Sequence, residues 1–395
     1  MKVDARVNRQ WVRHVIPVGA CTILGSTGFG AYLALPMILG ALSQAKGIDP
    51  VKVGWLGSSE LVGLLLGCLL TARLLGRGRS HSIALAGAAM AVVANLATAW
   101  AEGVGLLIVL RFAAGLGGGM CYAYALSKLS VAGNRAANAC VFGIGLGLSS
   151  SCLCLTIPWL LGHWGLEAVF VSLATMFVLA AAALNYVPAV PESCNPDNQQ
   201  GASLNAVGLI SIGAVVLWGL ATACFWAYTE RLGTAQGLTS DTVGQVLNVA
   251  NLTCMASCLF AYKISKLWGQ HLPQVILLFS SGLLCLFWNV EAADYVYAGQ
   301  VFIYFQMIAL TQVLQIVLFG ALDESGRLAA LLPAAQGVGQ AAGPLLGSFV
   351  FAYGYGFDGL LSFVGGMFIV SSGLFMVGYL RTQRKVLSPV PVAGA

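Results

Sequence analysis

The sequence predicts an all-α membrane protein, with twelve transmembrane helices in two pseudo-symmetric six-helix bundles. Three observations predict it: a composition nearly free of charge, a regular train of apolar runs broken once by a polar stretch, and an internal repeat. Hydrophobic residues make up 58% of the chain and charged residues 8%, where a soluble domain carries roughly 25% charged residues. A soluble chain of this length would need polar surface that this one lacks, so the apolar runs are read as facing lipid. The net charge of +5 then belongs to the loops between spans rather than to a nucleic-acid surface, and no nucleic-acid partner is expected.

A window of about 19 residues places the first six spans near 15–41, 50–72, 82–101, 104–127, 137–161 and 166–187. The basic segment "MKVDARVNRQWVRH" precedes an apolar run too long for a signal-peptide core and without a cleavage site, so it leads into an uncleaved first helix. Asp49, a capping residue, and Pro50, suited to a first helical turn, open the second span. The fourth carries "RFAAGLGGG", the fifth contains "GIGLG" and Pro158, and the turn "HWGLE" leads into the sixth. "VPAVPESCNPDNQQGASLN", rich in proline, asparagine and serine, is the only long polar stretch and reads as a linker. Six further spans follow near 206–229, 243–262, 273–290, 295–320, 329–352 and 358–380. Residues 1–187 are thus expected to form an amino-terminal bundle, 188–205 a cytoplasmic linker and 206–395 a carboxy-terminal bundle.

Charge placement orients these spans. With the amino terminus inside, one side collects nearly all the basic residues, among them Arg6, Arg73, Arg77, Arg79, Lys128, Arg135, Lys263, Arg327 and Arg384. The other side holds Lys46, Lys52 and Arg231. The positive-inside rule therefore puts both termini in the cytoplasm of an inner (plasma) membrane, with the chain crossing many times. The repeat supports the division into halves: "GIDPVKVG" (Gly47 to Gly54) recurs as "GLTSDTVG" (Gly237 to Gly244), and "FGAY" at Phe29 as "FWAY" at Phe225. "GIG" at Gly143 returns as "GVG" at Gly337, and the turn "HWGLE" as "YGYGFD", all in the same order at spacings near 190 to 196 residues.

The fourth-span "RFAAGLGGG", with Arg111, Gly115 and Gly117, resembles the arginine-glycine motif of the major facilitator superfamily, although Ala114 stands where that family often has glutamine. The loop "ARLLGRGRS" is similar to the family's cytoplasmic motif of glycine and basic residues, with Arg73 at the place of the usual aspartate. "GQAAGPLLG" (Gly339 to Gly347) resembles a Gly-Pro motif found in the fifth helix of exporters, whereas the fifth span here has Pro158 without that pair. The resemblance covers nearly the whole chain. It implies secondary transport by rocking of two bundles around a midplane site, with the second and fourth helices facing the cavity from the amino-terminal side.

Glu60 lies in the apolar run "GWLGSSELVGLLLG". Counted from Pro50 it is roughly 15 Å along its helix, about mid-depth in a 30 Å hydrocarbon slab. It shares its face with Gly57 and Gly67, beside Gly63, which points it toward protein or a cavity. An ionised carboxylate there costs about 2.5–3.5 kcal/mol, which suits it to exchange a proton, or alternatively to bind substrate. The bland alternative is a structural glutamate between bundles. Arg111 shares its face with Gly115, Gly118 and Tyr122. Because arginine cannot shed its charge, it is open to three roles: clamp for an anionic substrate, electrostatic partner of a carboxylate, or structural bond to helix ends. In the arrangement that the resemblance implies, Glu60 and Arg111 are candidates for one proton-coupling pair.

Amides take the place of charges in the second half. Asn248 and Asn251 lie one turn apart on the eighth span, Gln306 with Gln312 and Gln315 on the tenth, and Gln336 and Gln340 on one face of the eleventh. They are candidates either for substrate contact or for helix-to-helix bonding. Ser26, Thr27 and Tyr32 add polar groups to the first span, and Tyr122 to the fourth. Trp226 and Tyr228 in "CFWAYTERLG" suit stacking on a substrate ring, closure of an outer gate, or an interfacial belt, and Glu230 and Arg231 a gating ion pair or a helix end.

Other chemistries find no support. The cysteines are odd in number, fall mostly in apolar runs and read as small packing residues, without zinc-site spacing to His14, His81, His163 or His271. The glycine runs lie within spans and lack a preceding strand or a Gly-Lys-Ser/Thr pairing, so they read as close-packing sites rather than phosphate cradles. No "HExxH", "GxSxG" or cluster of aspartates marks an enzyme. The expected function is proton-coupled secondary active transport of a small organic solute, with a carboxylate favoured by the lone arginine within the spans, through a monomer without cofactor. Proton-driven efflux of amphipathic compounds is the alternative, and a membrane sensor or enzyme a distant one.

Overall fold

Asp49 and Thr239 begin corresponding helices in the same way. In the computed structural model Asp49 Oδ1 accepts from the Lys52 N–H at 3.0 Å, and Thr239 Oγ1 from the Thr242 N–H at 3.2 Å. Each bond satisfies an amide that the first helical turn leaves without an intrahelical partner. Gly47 (φ 60°) and Gly237 (φ 92°) turn the chain just before them in a left-handed conformation that glycine alone adopts freely. The "GIDPVKVG" and "GLTSDTVG" repeats are therefore one turn-and-cap device used twice.

The structure describes residues 2–74, 80–129, 135–187, 206–269, 271–289, 294–322 and 327–387. The expected linker 188–205, with Cys194, and the loop residues Arg77 and Arg79 lie outside the described residues, as do the side chains of Arg6, His14, Arg135, Cys258, Arg327 and Arg384. Among the described residues the ordered elements are helical. The expected first span comprises α1 (Lys2–Gly28), α2 (Gly30–Leu33) and α3 (Leu35–Lys46). The next three are α4 (Pro50–Leu74), α5 (Ser80–Trp100) and α6 (Val104–Leu129), and α7 (Arg135–Ala183) holds the fifth and sixth. The second half of the chain contributes α8 (Ala206–Ala235), α9 (Ser240–Trp268), α10 (His271–Leu286), α11 (Asp294–Leu322), α12 (Arg327–Ala352) and α13 (Gly356–Leu387).

Two features depart from the expected span boundaries, each for a local backbone reason. The first span was expected unbroken over 15–41, yet it breaks at Phe29 and Ala34 and continues to Lys46. Pro36 has no N–H to offer the carbonyl four residues earlier, that of Tyr32, and it stands in the first turn of α3 just after the break at Ala34. Helix α7 passes from fifth to sixth span through one residue, Gly165, whose φ of 80° and ψ of −176° reverse the chain. Its apolar stretch Cys140–Tyr186 is 47 residues long, about 70 Å if helical throughout, more than two bilayer cores deep. Counting α1 to α3 as one pass and α7 as two gives twelve helical segments among the described residues.

Seven described helices are long and apolar enough to cross a membrane. Their outward surface suits lipid: Val93, Val109, Val178, Val249, Ile316 and Val370, all inside helices, are each more than half exposed. Helices before residue 188 pack chiefly on one another, α6 against α1, α4 and α5 and α7 against α1 and α5. Those after 205 do likewise, α8 against α12 and α13, α10 against α13 and α9 against α11. The two sets meet where α4 packs on α12, α7 on α9, and α3 on α8. These contacts are made close by small residues at repeat positions: a Cβ on Gly54 would overlap the Pro344 carbonyl and the Tyr228 hydroxyl, and one on Gly244 the Cys154 carbonyl.

Candidate functional site

Glu60 is positioned by backbone-to-backbone contact between α4 and α6. Gly63 and Gly67 of α4 lie on the backbone of Phe112, Leu116 and Met120, while Gly115 and Gly119 of α6 lie on the carbonyls of Glu60 and Leu64. A Cβ at any of the four would overlap that backbone, so the helices approach as only glycine permits. Gly117 and Gly118 press α6 in the same way onto α5 and α1, through Gly87 and Gly28. The run "GLGGG" is thus a three-sided packing surface, and it holds Arg111, one turn earlier, opposite Glu60.

The pair is buried and its arginine is densely bonded. Arg111 Nη1 donates to Glu60 Oε1 at 3.1 Å, and Nη2 donates to Asn95 Oδ1 at 3.0 Å and Thr98 Oγ1 at 2.8 Å. Its guanidinium carbon stands 4.8 Å from the centre of the Phe170 ring on α7. Asn95 and Thr98 are fixed in turn, since each donates to a carbonyl of α5, those of Ala91 and Ala94. Arg111 is 0% and Glu60 2% exposed. Among the described residues, Glu60 Oε2 and Arg111 Nε have no hydrogen-bond partner. Glu60 and Arg111 border a cavity of about 20 Å³ together with Thr27, Gly30, Asn95 and Leu173, room for about one water molecule.

A second polar cluster joins the two helix sets at the end away from the termini. Glu230, 2% exposed, accepts at Oε1 from Gln44 Nε2 at 3.2 Å and from Ser240 Oγ at 2.6 Å, and Gln44 also donates to Ser240. Arg231 turns instead to the Ile48 carbonyl at 3.3 Å, so the two neighbours are not an ion pair with each other. Tyr228 donates to the carbonyls of Pro50 and Pro344, and the Leu345 N–H to Ser58 Oγ. From Trp218 to Glu230 every residue of α8 is buried, whereas Leu209 nearer its start is 61% exposed. The sets are thus clasped at that end.

The remaining expected site residues divide. Tyr32, Tyr122, Trp226 and Gln340 come together: Gln340 Nε2 lies 3.4 Å from the Tyr32 hydroxyl, Trp226 Nε1 donates to the Tyr32 carbonyl at 2.7 Å, and Phe29 bridges Tyr32 and Tyr122. Thr27 borders the Glu60 cavity, while Ser26 donates to the Ile23 carbonyl of its own helix. Gln336 bonds Gln315, Gln306 bonds Thr253, and Asn251 bonds the Leu247 carbonyl, all within the second set. Asn248 is partly buried and Tyr228 belongs to the clasp. Asn95, Thr98, Phe170, Gln44 and Ser240 were missed by sequence reasoning; Asn95, an amide inside "AMAVVANLATAW", was the visible signal.

The sequence profile described as Major Facilitator Superfamily matches residues 20–322. The chain belongs to that superfamily. Among solved structures this facilitator is similar to a D-xylose-proton symporter, with a TM-score of 0.74 and 15% identity over 92% of this chain and 97% of that one. It is also similar to the nucleoside transporter NupG, with a TM-score of 0.73 and 11% identity over 92% and 98% of the two chains. At such identities the likeness is one of fold. Among curated proteins no sequence matches this one. The facilitator is a multi-pass membrane transporter rather than an enzyme.

Proposed function

We propose that this facilitator is a proton-coupled carrier of a small organic solute, with Glu60 carrying the proton and Arg111 as its electrostatic partner. One observation carries the reading: Glu60 is half satisfied. Oε1 is held by Arg111, while Oε2 has no partner among the described residues and the side chain borders a cavity of about one water. A fully bonded carboxylate would be a static strut, but this one keeps an oxygen for a proton. The other described carboxylates lie nearer helix ends or in turns, as Asp49, Glu102, Glu167 and Asp294 do. Arg111, engaged by Glu60, Asn95 and Thr98, serves the proton rather than an anionic solute, which removes the reason for favouring a carboxylate as cargo.

Transport proceeds by alternating access between the helices of 1–187 and those of 206–395. With both termini in the cytoplasm of the inner membrane, as charge placement favours, the clasp around Glu230 and Tyr228 closes the outer end. The test uses purified protein in liposomes containing a pH-sensitive dye, with solute added outside. Glu60→Gln is expected to abolish solute-driven proton movement while solute exchange without a gradient persists. Undiminished proton movement in that variant rules out the carrier role.

A further inference from the structure

Where the two helix sets meet, α2 brings rings and amides together without charge. Phe29 stacks on Tyr122 at 4.6 Å with 23° between the planes, Tyr32 lies 5.1 Å from Phe29, and Phe142 6.1 Å from Tyr122. Across the junction Gln340 reaches the Tyr32 hydroxyl, and the Trp226 ring, bonded to the Tyr32 carbonyl, lies 5.3 Å from Phe305. Phe29, Tyr32, Tyr122, Phe305 and Gln340 are only partly buried although they stand within the spans, and Tyr32 is met across the junction by Gln340 and Trp226. Rings in such a place offer their faces, and the amide its donors and acceptor, to whatever enters between the halves.

Among the described residues, the charged side chains buried within the spans are engaged elsewhere. Arg111 and Glu60 hold each other with the arginine wholly buried, Glu230 is bonded to Gln44 and Ser240, and Lys128 lies over the Tyr124 ring near the end of α6. A charged solute entering this cluster would lose hydration and meet no free counter-charge. Resting on the transporter reading, we infer that the cluster of Phe29, Tyr32, Tyr122, Trp226 and Gln340 is the solute site, and that it takes an uncharged molecule with a flat ring bearing hydrogen-bonding groups. The ring stacks on Tyr122 and its polar edge meets Gln340 and the Tyr32 hydroxyl.

The test is binding to purified protein, measured by equilibrium dialysis and by thermal stabilisation, which any ligand of the folded state must produce. The probes are pairs that differ in charge: nicotinamide and nicotinate, benzamide and benzoate, uridine and uridine monophosphate. At least one uncharged member is expected to bind, with its charged mate at least tenfold weaker. Tyr122→Ala and Gln340→Ala are each expected to weaken that binding about tenfold, and Tyr122→Phe, which keeps the stacking face, to retain it. If Tyr122→Ala does not fold, Gln340→Ala and Tyr122→Phe still decide the matter. Charged members binding as well as their mates, no uncharged member binding at millimolar concentration, or binding indifferent to the Gln340 change would overturn the inference. Glu60→Gln separates this from the proton reading: the uncharged probe should still bind it, and a Glu60→Gln variant that accumulates solute refutes proton coupling while leaving the site intact.

Discussion

Removing one or both members of the Glu60–Arg111 pair measures what the pair contributes. The side chains are 1% and 2% exposed and bonded at 3.1 Å, so deleting one partner strands a buried charge, typically at about 3–5 kcal/mol. The two deletions are not equivalent. In Arg111→Met the stranded carboxyl can discharge itself by taking up a proton, so the loss falls near the lower limit, about 3 kcal/mol. In Glu60→Met the guanidinium cannot; it keeps only neutral partners, Asn95, Thr98 and the Phe170 ring, and the loss falls near the upper limit, about 5 kcal/mol.

The double variant Glu60→Met with Arg111→Met replaces both charges by apolar volume. It is expected within about 1 kcal/mol of the parent, because a buried pair exchanged for packed hydrophobic groups is often neutral. The assay is denaturation of purified protein in micelles, followed as the fraction remaining monodisperse. The expected order of stability is parent, then the double variant, then Arg111→Met, then Glu60→Met, with proton coupling absent from all three variants. Losses that simply add in the double variant would mean no interaction energy between the two side chains, and the electrostatic account of the site would fail.

Glu230→Ala removes the acceptor shared by Gln44 and Ser240 and leaves only their bond to each other, and amide hydrogen exchange over 40–48 and 230–242 is expected to rise; unchanged exchange would mean that the clasp does not depend on Glu230. Gly115→Val drives a side chain into the Glu60 carbonyl and should cost about 1–3 kcal/mol by overpacking, whereas Gly143→Ala, whose Cβ meets nothing within 4 Å, should be tolerated in the same thermal assay. Asp49→Ala loses a helix cap, about 1 kcal/mol. Hydrogen bonds from Lys52 hold the Asp49 carboxyl below its usual range, so the parent's advantage is present above about pH 4 and lost as pH falls through the lower folded value, and a pH-independent gap would contradict this. Pro36→Ala restores an amide able to bond the Tyr32 carbonyl, and is expected to retain uncharged-solute binding while lowering the protons moved per solute; an unchanged ratio would reduce the break in the first span to a kink.

Helix count and spacing were legible because lipid imposes them: apolar runs set span length, and Gly47, Asp49, Gly237 and Thr239 announce turn and cap by residue type alone. Glu60 and Arg111 stood out for the same reason, as charges in apolar surroundings. Their pairing could be anticipated only through the family arrangement, and the ligands that complete it, Asn95 and Thr98, belong to a helix whose sequence shows one amide and a common threonine. The clasp was hidden for another reason. Gln44, Glu230 and Ser240 sit near helix ends, where a polar residue is ordinarily solvated, and only the approach of α3 to α8 and α9 brings the three together and buries Glu230. Pro36 is plain in the sequence, but its effect depends on Trp226, nearly two hundred residues away, taking the carbonyl that it releases.

On the proposed reading, proton and solute must be linked through the first span, because the two sites share no side chain. Thr27, Gly30 and Ala31 border the Glu60 cavity, while Phe29 and Tyr32, interleaved with them, belong to the ring cluster. Helix α2 is four residues long and bounded by backbone angles of −86° and 0° at Phe29 and −110° and 8° at Ala34. An unbroken helix would carry both faces only as one rigid body across the membrane. A short broken turn instead lets displacement of Tyr32 at the junction shift Gly30 and Ala31 against the cavity. Access of water to the free oxygen of Glu60 then depends on what occupies the space beside Tyr122 and Gln340, although no solute atom touches the carboxylate. Such a coupling needs no charge on the cargo, which is why an arginine already engaged by Glu60, Asn95 and Thr98 and a ring site without charge belong to one mechanism.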